Sequence, residues 1–290
     1  MTRPGRARRA AAVLALGVTL AGCSGAAPPP DSSATPSAPP SSTAEGTWWH
    51  PDADDVTTWQ YQLTGPLAVV DADVYDLEPD AVTPAQVAAL QAGGARVLCY
   101  VSVGSVEEWR EDAGDLPDAV VGEPLEGWPD ERWLDVRERD VLLDWVAPRL
   151  QRCAEAGFDG VELDNVDAYA NDTGFPLTVA DSEAYVRALV DAAHAEGLAV
   201  ALKNAPELVE PLAAEVDLAV VEECVAEGSC GDYRALREAG LPVLAVEYGP
   251  VEGHCGAAQS AGLVLIGKDL DLGPERESCP APRGDARPTP

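Results

Sequence analysis

Apolar runs recur along the chain from residue 68 onward, and segments with helical periodicity separate most of them. The runs are continuous stretches of Val, Ile, Leu and Ala rather than alternations with polar residues, which is typical of parallel strands buried on both faces. Eight runs qualify as strands: 68–73, 96–103, 133–136, 160–163, 198–202, 218–221, 243–246 and 263–266. The pattern predicts an α/β fold, namely a single-domain (β/α)8 TIM barrel.

Amphipathic segments fit between these strands. Helices are predicted at 139–156, 182–197, 231–240 and 253–262, and glycine ends several of them, as a C-terminal capping residue does. A further run at 57–63 has strand character, but only residues 64–66 separate it from the run at 68–73. Because a crossover between parallel strands needs about a dozen residues, we predict that 57–63 is an additional N-terminal strand outside the eight.

The first 46 residues have the composition of an export signal and a tether. Four arginines precede an apolar run at 10–21, and Leu20-Ala21-Gly22-Cys23 resembles a lipobox. We predict a lipoprotein signal peptide at 1–22, lipidation at Cys23, a Pro/Ser/Ala-rich tether at 23–46, the folded (β/α)8 domain at 47–280 and an unstructured tail at 281–290. The expected location is the extracellular side of the bacterial membrane, held there by the N-terminal lipid alone. The alternative is an ordinary secretory peptide with a chance cysteine.

Six cysteines remain besides Cys23, an even number that favours disulfides over metal ligands in an exported protein. The preferred pairs are Cys224 with Cys230, Cys255 with Cys279, and Cys99 with Cys153. A free, buried Cys99 on an apolar strand stays open as the alternative to the last pair.

Charge and histidine content exclude several function classes. The chain has 19 Lys and Arg against 50 Asp and Glu, a net charge of −31 that repels nucleic acid. His50, His194 and His254 are not spaced as metal pairs. We therefore expect no metal, no other cofactor and no nucleic-acid partner, and we expect a monomer.

Acidic residues end several of the predicted strands, which is where catalytic side chains of such barrels lie. Asp164 follows the fourth run, Lys203 the fifth and Glu222 the sixth. Glycosidic cleavage needs two carboxyl groups on either side of the scissile bond, and a nearby lysine can keep one of them ionised. The alternative is that a chain this acidic places carboxylates at strand ends by chance.

Several segments carry a more specific signal: CYVSVGSVEEWR (99–110), GWPDERWLDVR (127–137), GFDGVELDNVD (157–167), Leu202-Lys203-Asn204 and Val221-Glu222-Glu223-Cys224. In this order, and across 59–249, they resemble glycoside hydrolase family 114, the endo-α-1,4-polygalactosaminidases. The resemblance implies a (β/α)8 glycosidase whose catalytic acids fall on Asp164 and Glu222. Val221 and Glu223 depart from the family's usual Asn and Gln, so we expect a possible difference in substrate or pH range.

The same segments supply candidates for a substrate groove. Trp109, Trp128 and Trp133 are candidates for stacking on sugar faces. The polar candidates are Asp76, Glu107, Arg110, Asp135, Asn165, Asp167, Tyr169, Lys203, Asn204, Glu247 and Tyr248. As alternatives, the tryptophans are packing residues, and Glu131, Asp135 and Arg137 form a structural ion-pair network.

These inferences predict a hydrolase that cleaves internal α-1,4 bonds of a galactosamine-containing, cationic polysaccharide. Asp164 is predicted to stay ionised as the nucleophile, and Glu222 to carry the proton as general acid and then act as base. The main alternative is a non-catalytic, cell-surface carbohydrate-binding lipoprotein with a degenerate barrel. A polysaccharide deacetylase needs metal ligands that the three histidines do not supply.

Overall fold

The computed structural model describes residues 47–279. The predicted signal peptide, Cys23 with its tether, and the tail at 281–290 lie outside the described residues, so their assignments stay predictions. The strands are β1 (Trp59–Gln62), β2 (Val74–Leu77), β3 (Arg96–Ser102), β4 (Ser105–Glu107), β5 (Val121–Leu125), β6 (Trp128–Leu134), β7 (Gly160–Asp164), β8 (Ala199–Lys203), β9 (Leu218–Glu222), β10 (Val243–Tyr248), β11 (Val264–Lys268) and β12 (Glu277–Ser278). The helices are α1 (Pro84–Ala92), α2 (Arg139–Glu155), α3 (Val179–Ala195), α4 (Pro206–Leu212), α5 (Cys224–Glu227), α6 (Arg234–Glu238) and α7 (Cys255–Ala261).

Nine strands form one curled sheet in the order β1-β2-β3-β7-β8-β9-β10-β11-β12. All neighbours pair in parallel except β12, which is antiparallel to β11. The curl brings the two sides of the sheet together, since the indole nitrogen of Trp59 on β1 donates to the carbonyl of Val264 on β11 at 2.9 Å. The architecture is therefore a barrel-like α/β fold, with helices covering the outer face.

Two hydrophobic cores follow from this curl. The inner core lies inside the curled sheet and includes Trp59, Leu98, Val220, Leu244 and Ile266. The outer core lies between the sheet and its helices and is larger. Strands that bury both faces explain the continuous apolar runs in the sequence.

The sheet corrects three strand predictions. The run at 133–136 is not a strand of the main sheet, because it overlaps the end of β6, which pairs antiparallel with β4 and β5 in a separate three-stranded sheet. The segment 68–73 is not a strand either, and the second strand begins only at Val74. This later start leaves 63–73 as a crossover of nearly a dozen residues, so the run at 57–63 does belong to the main sheet, as β1.

The helix predictions hold with shifted ends. The segment 139–156 is α2, 253–262 contains α7, and 231–240 contains a 3-10 turn followed by α6. Helix α3 begins three residues before the predicted start, because Thr178 caps it: its hydroxyl accepts from the amide of Asp181, whose carboxylate accepts from the amide of Thr178 at 2.9 Å. Within residues 47–279, no helix combines the length and the apolar character needed to cross a bilayer.

All three predicted disulfides are present: Cys99–Cys153, Cys224–Cys230 and Cys255–Cys279. The first joins β3 to α2, the second closes a short loop directly after β9, and the third attaches the last described residue to the start of α7. A free Cys99 is therefore wrong.

Candidate active site

Three consecutive parallel strands end in charged side chains. Asp164 ends β7, Lys203 ends β8 and Glu222 ends β9. The carboxyl ends of parallel strands meet at one edge of the sheet, so the three side chains converge at the mouth of the curl. The predicted pair of acids thus lies on either side of a lysine.

Lys203 joins the two acids. Its ammonium lies 3.1 Å from Asp164 Oδ1 and 3.5 Å from Glu222 Oε2, and its side chain is only 3% exposed. Below it, the ammonium lies 2.9 Å from Glu162 Oε1. Burial alone lowers the pKa of Lys203, but the surrounding carboxylates outweigh burial and raise that pKa well above its usual value. Lys203 is therefore a fixed positive charge.

Donors on three sides hold the Asp164 carboxylate. Tyr100 donates its hydroxyl at 2.8 Å, the amide of Asn165 donates at 2.9 Å, and Lys203 completes the set. Asn165 has a left-handed φ of 64°, which asparagine tolerates better than most residues. The side-chain amide of Asn165 donates to the hydroxyls of Ser102 and Ser105, both at 3.0 Å, and these bonds fix the turn that follows Asp164.

Glu222 is held by a different set of groups. Asn204 donates to Glu222 Oε2 at 3.0 Å and accepts from the Glu222 amide at 2.9 Å. The Tyr248 hydroxyl, at the end of β10, donates to Glu222 Oε1. Asn204 also has a left-handed φ, 47°, so the strand ends near both acids have uncommon backbone conformations. Such conformations concentrate at functional sites.

The acids face a cleft of about 1300 Å³. The separate sheet β4-β6-β5 supplies part of its lining, including Glu107, Leu125, Trp128, Glu131 and Trp133. This sheet, inserted between β3 and α2, gives the groove an extended wall. A cleft of this size exceeds the usual pocket for one small ligand.

Nine of the predicted binding residues line this cleft together with Asp164 and Glu222: Glu107, Trp109, Arg110, Trp128, Asn165, Asp167, Lys203, Asn204 and Tyr248. Trp109 and Trp128 are 59% and 53% exposed, so their ring faces are accessible for stacking. Trp133 also touches the cleft but is 6% exposed and packs with Leu125 and Ala168, so it is mainly a packing residue.

Four predicted binding residues lie outside the cleft lining, and three of them have a hydrogen-bond partner inside the protein. Asp135 pairs with Arg137 at 2.6 Å, which supports the structural alternative for that pair. The Tyr169 hydroxyl donates to Glu207 at 2.7 Å. Glu247 accepts from the amides of Val225 and Ala226 and so holds the start of α5. Asp76 is fully buried beneath the site.

Sequence reasoning missed several residues of the site. Tyr61 and Glu162 bind Lys203 from below, and Tyr100 and Glu131 line the cleft. Tyr61 was missed because its strand was placed outside the barrel. Tyr100 and Glu162 lie among apolar residues of β3 and β7, so the sequence pattern includes them in apolar strands. Counting alternate positions along each strand would have shown that both side chains face inward.

The cleft is strongly acidic. Eleven Asp and Glu residues line it, against Arg110, Arg152 and Lys203 as the basic residues. Burial, with the nearby charges of Glu107 and Asp164, raises the pKa of Glu131 to about 7. Burial, with the charge of Asp164, raises the pKa of Asp167 to about 6. The backbone amide of Asp167 donates to its own carboxylate, and no other residue among 47–279 is seen to do so, which leaves this carboxylate available to a ligand.

Neither departure from the family pattern faces the cleft. Val221 is 1% exposed and belongs to the outer core. Glu223 is exposed, with a left-handed φ of 53° that turns the chain away after Glu222. An effect on substrate or pH range would therefore act through the charge of Glu223 beside Glu222, and not through a contact in the cleft.

Within the described part of the chain, no group of three or more His, Cys, Asp or Glu side chains is arranged to hold a metal ion. Asp164 and Glu222 end the two strands that flank β8 and face an open cleft, an arrangement that suits a pair of glycosidase carboxylates. The chain belongs to glycoside-hydrolase family GH114, which it matches over residues 38–283, and it is a glycosidase.

Solved structures agree with this assignment. The chain resembles Ega3 of Aspergillus fumigatus, whose crystal structure is a complex with galactosamine, with 33% identity and a TM-score of 0.74 over 80% of this chain and 97% of that one. It also shares its fold with the glycoside hydrolase domain of PelA from Pseudomonas aeruginosa, at 18% identity and a TM-score of 0.63 over 76% and 97% of the two chains. An uncharacterized protein of Deinococcus radiodurans is 28% identical over 254 residues, which cover 74% of this chain and 80% of that protein.

Proposed function

We propose that this glycosidase cleaves internal α-1,4 bonds of a galactosamine-containing polysaccharide, with Asp164 as nucleophile and Glu222 as acid and base. The observation that carries the proposal is the shared contact of both carboxylates with Lys203 at the base of the acidic cleft. Asp164 Oδ1 and Glu222 Oε2 both contact the Lys203 ammonium, so these two oxygens can be no farther apart than the sum of their distances to it. This upper limit admits the carboxyl separation of about 5–5.5 Å that a retaining mechanism needs.

The contacts support distinct roles for the two acids. Three donors converge on Asp164, so its carboxylate is oriented for attack on the anomeric carbon. Glu222 protonates the leaving glycosidic oxygen, and a covalent glycosyl-enzyme forms. Glu222 then removes a proton from water, which attacks the same carbon and releases Asp164. In both steps, the contacts of Lys203 with the two carboxylates keep them in fixed positions relative to each other.

The charge of the cleft supports a cationic polymer as substrate. The excess of carboxylates attracts protonated amino sugars and repels anionic glycans. Asp167 lines the cleft near Asp164 with no donor from another residue of 47–279, so its carboxylate is placed to bind an ammonium group near the scissile bond. The galactosamine bound to Ega3, which is 33% identical to this chain, supports the same sugar here.

The shape of the cleft supports internal cleavage. The cleft has a volume of about 1300 Å³ and is open to solvent, and Trp109 and Trp128 present exposed rings on which sugar units can stack. An exo-acting enzyme needs a closed pocket for a chain end, whereas an endo-acting enzyme needs a groove through which the chain passes.

We extend the proposal to the whole protein. The hydrogen bond from Trp59 to Val264 supports β1 and β11 as adjacent strands of a closed (β/α)8 barrel. The lipobox-like Leu20-Ala21-Gly22-Cys23 and the three disulfides support export and a lipid anchor on the outer face of the membrane. The 24 residues after the signal then tether a monomeric domain, 47–280, that acts on polymer outside the cell.

Digestion of purified, partly de-N-acetylated α-1,4-galactosaminogalactan by the full-length protein tests the function. We expect a rapid fall in viscosity and oligosaccharides of several lengths by mass spectrometry, and slower digestion of the fully N-acetylated polymer. Proton NMR of the first products is expected to show the α-anomer. If the polymer binds without any product, the protein is a carbohydrate-binding lipoprotein, and a β-anomer contradicts the nucleophilic role of Asp164.

A further inference from the structure

Two carboxyl groups are buried together beneath the proposed catalytic pair. Asp76 lies on β2 and Glu162 on β7, and both are 0% exposed. Glu162 shares the inward face of β7 with Asp164, two residues further along. Charged groups in such a position require compensation, because burial of an unpaired carboxylate is costly.

The donors of this layer reach only one of the four oxygens. Glu162 Oε1 accepts from Lys203 Nζ at 2.9 Å and from the Tyr61 hydroxyl at 3.0 Å. Neither oxygen of Asp76, nor Glu162 Oε2, has a donor among residues 47–279. Glu162 is the charged group that acts most strongly on Asp76, so a proton on one of the two carboxyl groups supplies the donor that this buried layer otherwise lacks.

The surroundings show which group carries that proton. Glu162 has the positive charge of Lys203 and the Tyr61 hydroxyl on its other oxygen. Asp76 has no donor among residues 47–279, and the charges that act on it are those of Glu162 and Asp164 from β7 and of Lys203 from β8. Burial, and then the negative charge of Glu162, raise the pKa of Asp76 well above its usual value.

We propose that Asp76 is a positioning residue that stays protonated during turnover and donates its hydrogen bond to Glu162. Glu162 is then a single buried negative charge, and each of its two oxygens accepts a hydrogen bond. It holds the Lys203 ammonium against Asp164 and Glu222. The inference rests on the proposed roles of those two acids. It adds a chain of contacts from β2 through β7 and β8 to the catalytic carboxylates.

This role predicts that asparagine can replace Asp76, because its amide can donate to Glu162 with nearly the same shape. Asp76→Asn is expected to keep turnover within about threefold of wild type and to leave the pH profile unchanged. Asp76→Ala leaves Glu162 without this donor, so Lys203 shifts. We expect kcat to fall about 10- to 100-fold, as for a misplaced catalytic group, with a changed pH profile and little change in KM.

A loss of activity in Asp76→Asn equal to that in Asp76→Ala, with both variants folded by circular dichroism, overturns the proposal. That result means that Asp76 acts as an anion, for example as a ligand of a bound cation. Addition of Na⁺, K⁺ or Ca²⁺ to chelator-treated enzyme then distinguishes this case, since a cation site predicts stimulation by one of these ions.

Infrared spectroscopy tests the proton without any activity measurement. In full-length protein labelled with 13C at aspartate carboxyls, we expect a protonated carboxyl band at about pH 8, above the pKa of about 6 of Asp167. The band is expected to be absent from Asp76→Asn. If the wild type lacks it, the proposal fails even when the enzyme is active. If the band is present but no polymer is digested, the proposed function fails instead.

Discussion

Asp164 and Glu222 both contact Lys203, the buried positive charge at the base of the cleft. Asp164→Asn is expected to abolish turnover while the polymer still binds, because an amide keeps the shape but cannot attack the anomeric carbon. Glu222→Gln is expected to lower the rate by about 10²–10⁴, as for loss of a general acid. Initial rates of reducing-end formation and binding by calorimetry measure both effects.

Glu223→Gln is the matched control for these variants, since Glu223 is the next residue, exposed and outside the cleft lining. Its rate is expected to equal that of the wild type. Near wild-type digestion by Asp164→Asn or Glu222→Gln would mean that the catalytic roles lie elsewhere.

Glu131 couples the acidic cleft to stability. Its pKa of about 7 in the folded protein exceeds the value of about 4.3 expected when unfolded, so the folded state holds the proton more tightly. The stability linked to this group is complete below about pH 4.3 and is lost as the pH rises through about 7. Glu131→Gln removes that loss and keeps a partner for Ser105.

We therefore expect Glu131→Gln to stabilise the protein by about 1–2 kcal/mol at pH 8, after allowance for solvent screening, and by almost nothing at pH 4. Urea unfolding at the two pH values measures this difference. An equal effect at both pH values would show that packing, and not protonation, is responsible.

At the scale of elements, the connection between β3 and β4 supports the turn after β7. A Cβ atom on Gly104 would lie 1.7 Å from the carbonyl oxygen of Asn165, and the Gly104 amide donates to the carbonyl of Asp164 at 3.2 Å. Gly104→Ala must therefore displace the backbone that carries Asp164. We expect a loss of about 1–3 kcal/mol in stability and of about 10²-fold in kcat.

Gly114→Ala provides the comparison, because a Cβ there meets no atom within 4 Å and its backbone needs no glycine. Chemical unfolding and kinetic assays of the two variants separate a local steric effect from a general effect of alanine. Similar activities of the two variants would show that the Gly104 contact does not position the nucleophile.

At the scale of the whole molecule, the Cys255–Cys279 disulfide fixes the last described segment across a sequence separation of 24 residues. The double replacement by serine is expected to lower the unfolding free energy by about 2–4 kcal/mol through the entropy of the unfolded chain. Neither cysteine lines the cleft, so kcat is expected to stay unchanged. Loss of the Cys224–Cys230 pair, with a separation of 6, is expected to cost less. Equal losses would contradict the entropic explanation.

Attachment to the membrane is a property of the full chain. Cys23→Ser removes the proposed acylation site and is expected to move the protein from the membrane fraction into the medium. Immunoblots of the two fractions, with Cys99→Ser as a control that leaves the signal intact, measure the change. Retention of Cys23→Ser in the membrane would show that lipidation does not anchor the protein.

The sequence by itself determined much of the chemistry. Asp164 and Glu222 could be chosen as candidate catalytic acids because they end apolar strands within strings that resemble a glycosidase family, and the disulfides could be predicted because an even number of cysteines remains besides Cys23. Most strands were predictable for a related reason: a strand buried on both faces must be apolar along its whole length.

Tertiary structure alone decided which strands pair and which polar side chains face inward. The segment 57–63 belongs to the main sheet and 133–136 does not, the reverse of the prediction. Strand pairing depends on partners distant in sequence, which a local apolar run does not encode. Asp76 and Glu162 acquire their shared proton only when the curl of the sheet brings β2 and β7 into one dry layer below Lys203. Burial and proximity set the energy of a charge, and both are properties of the folded chain.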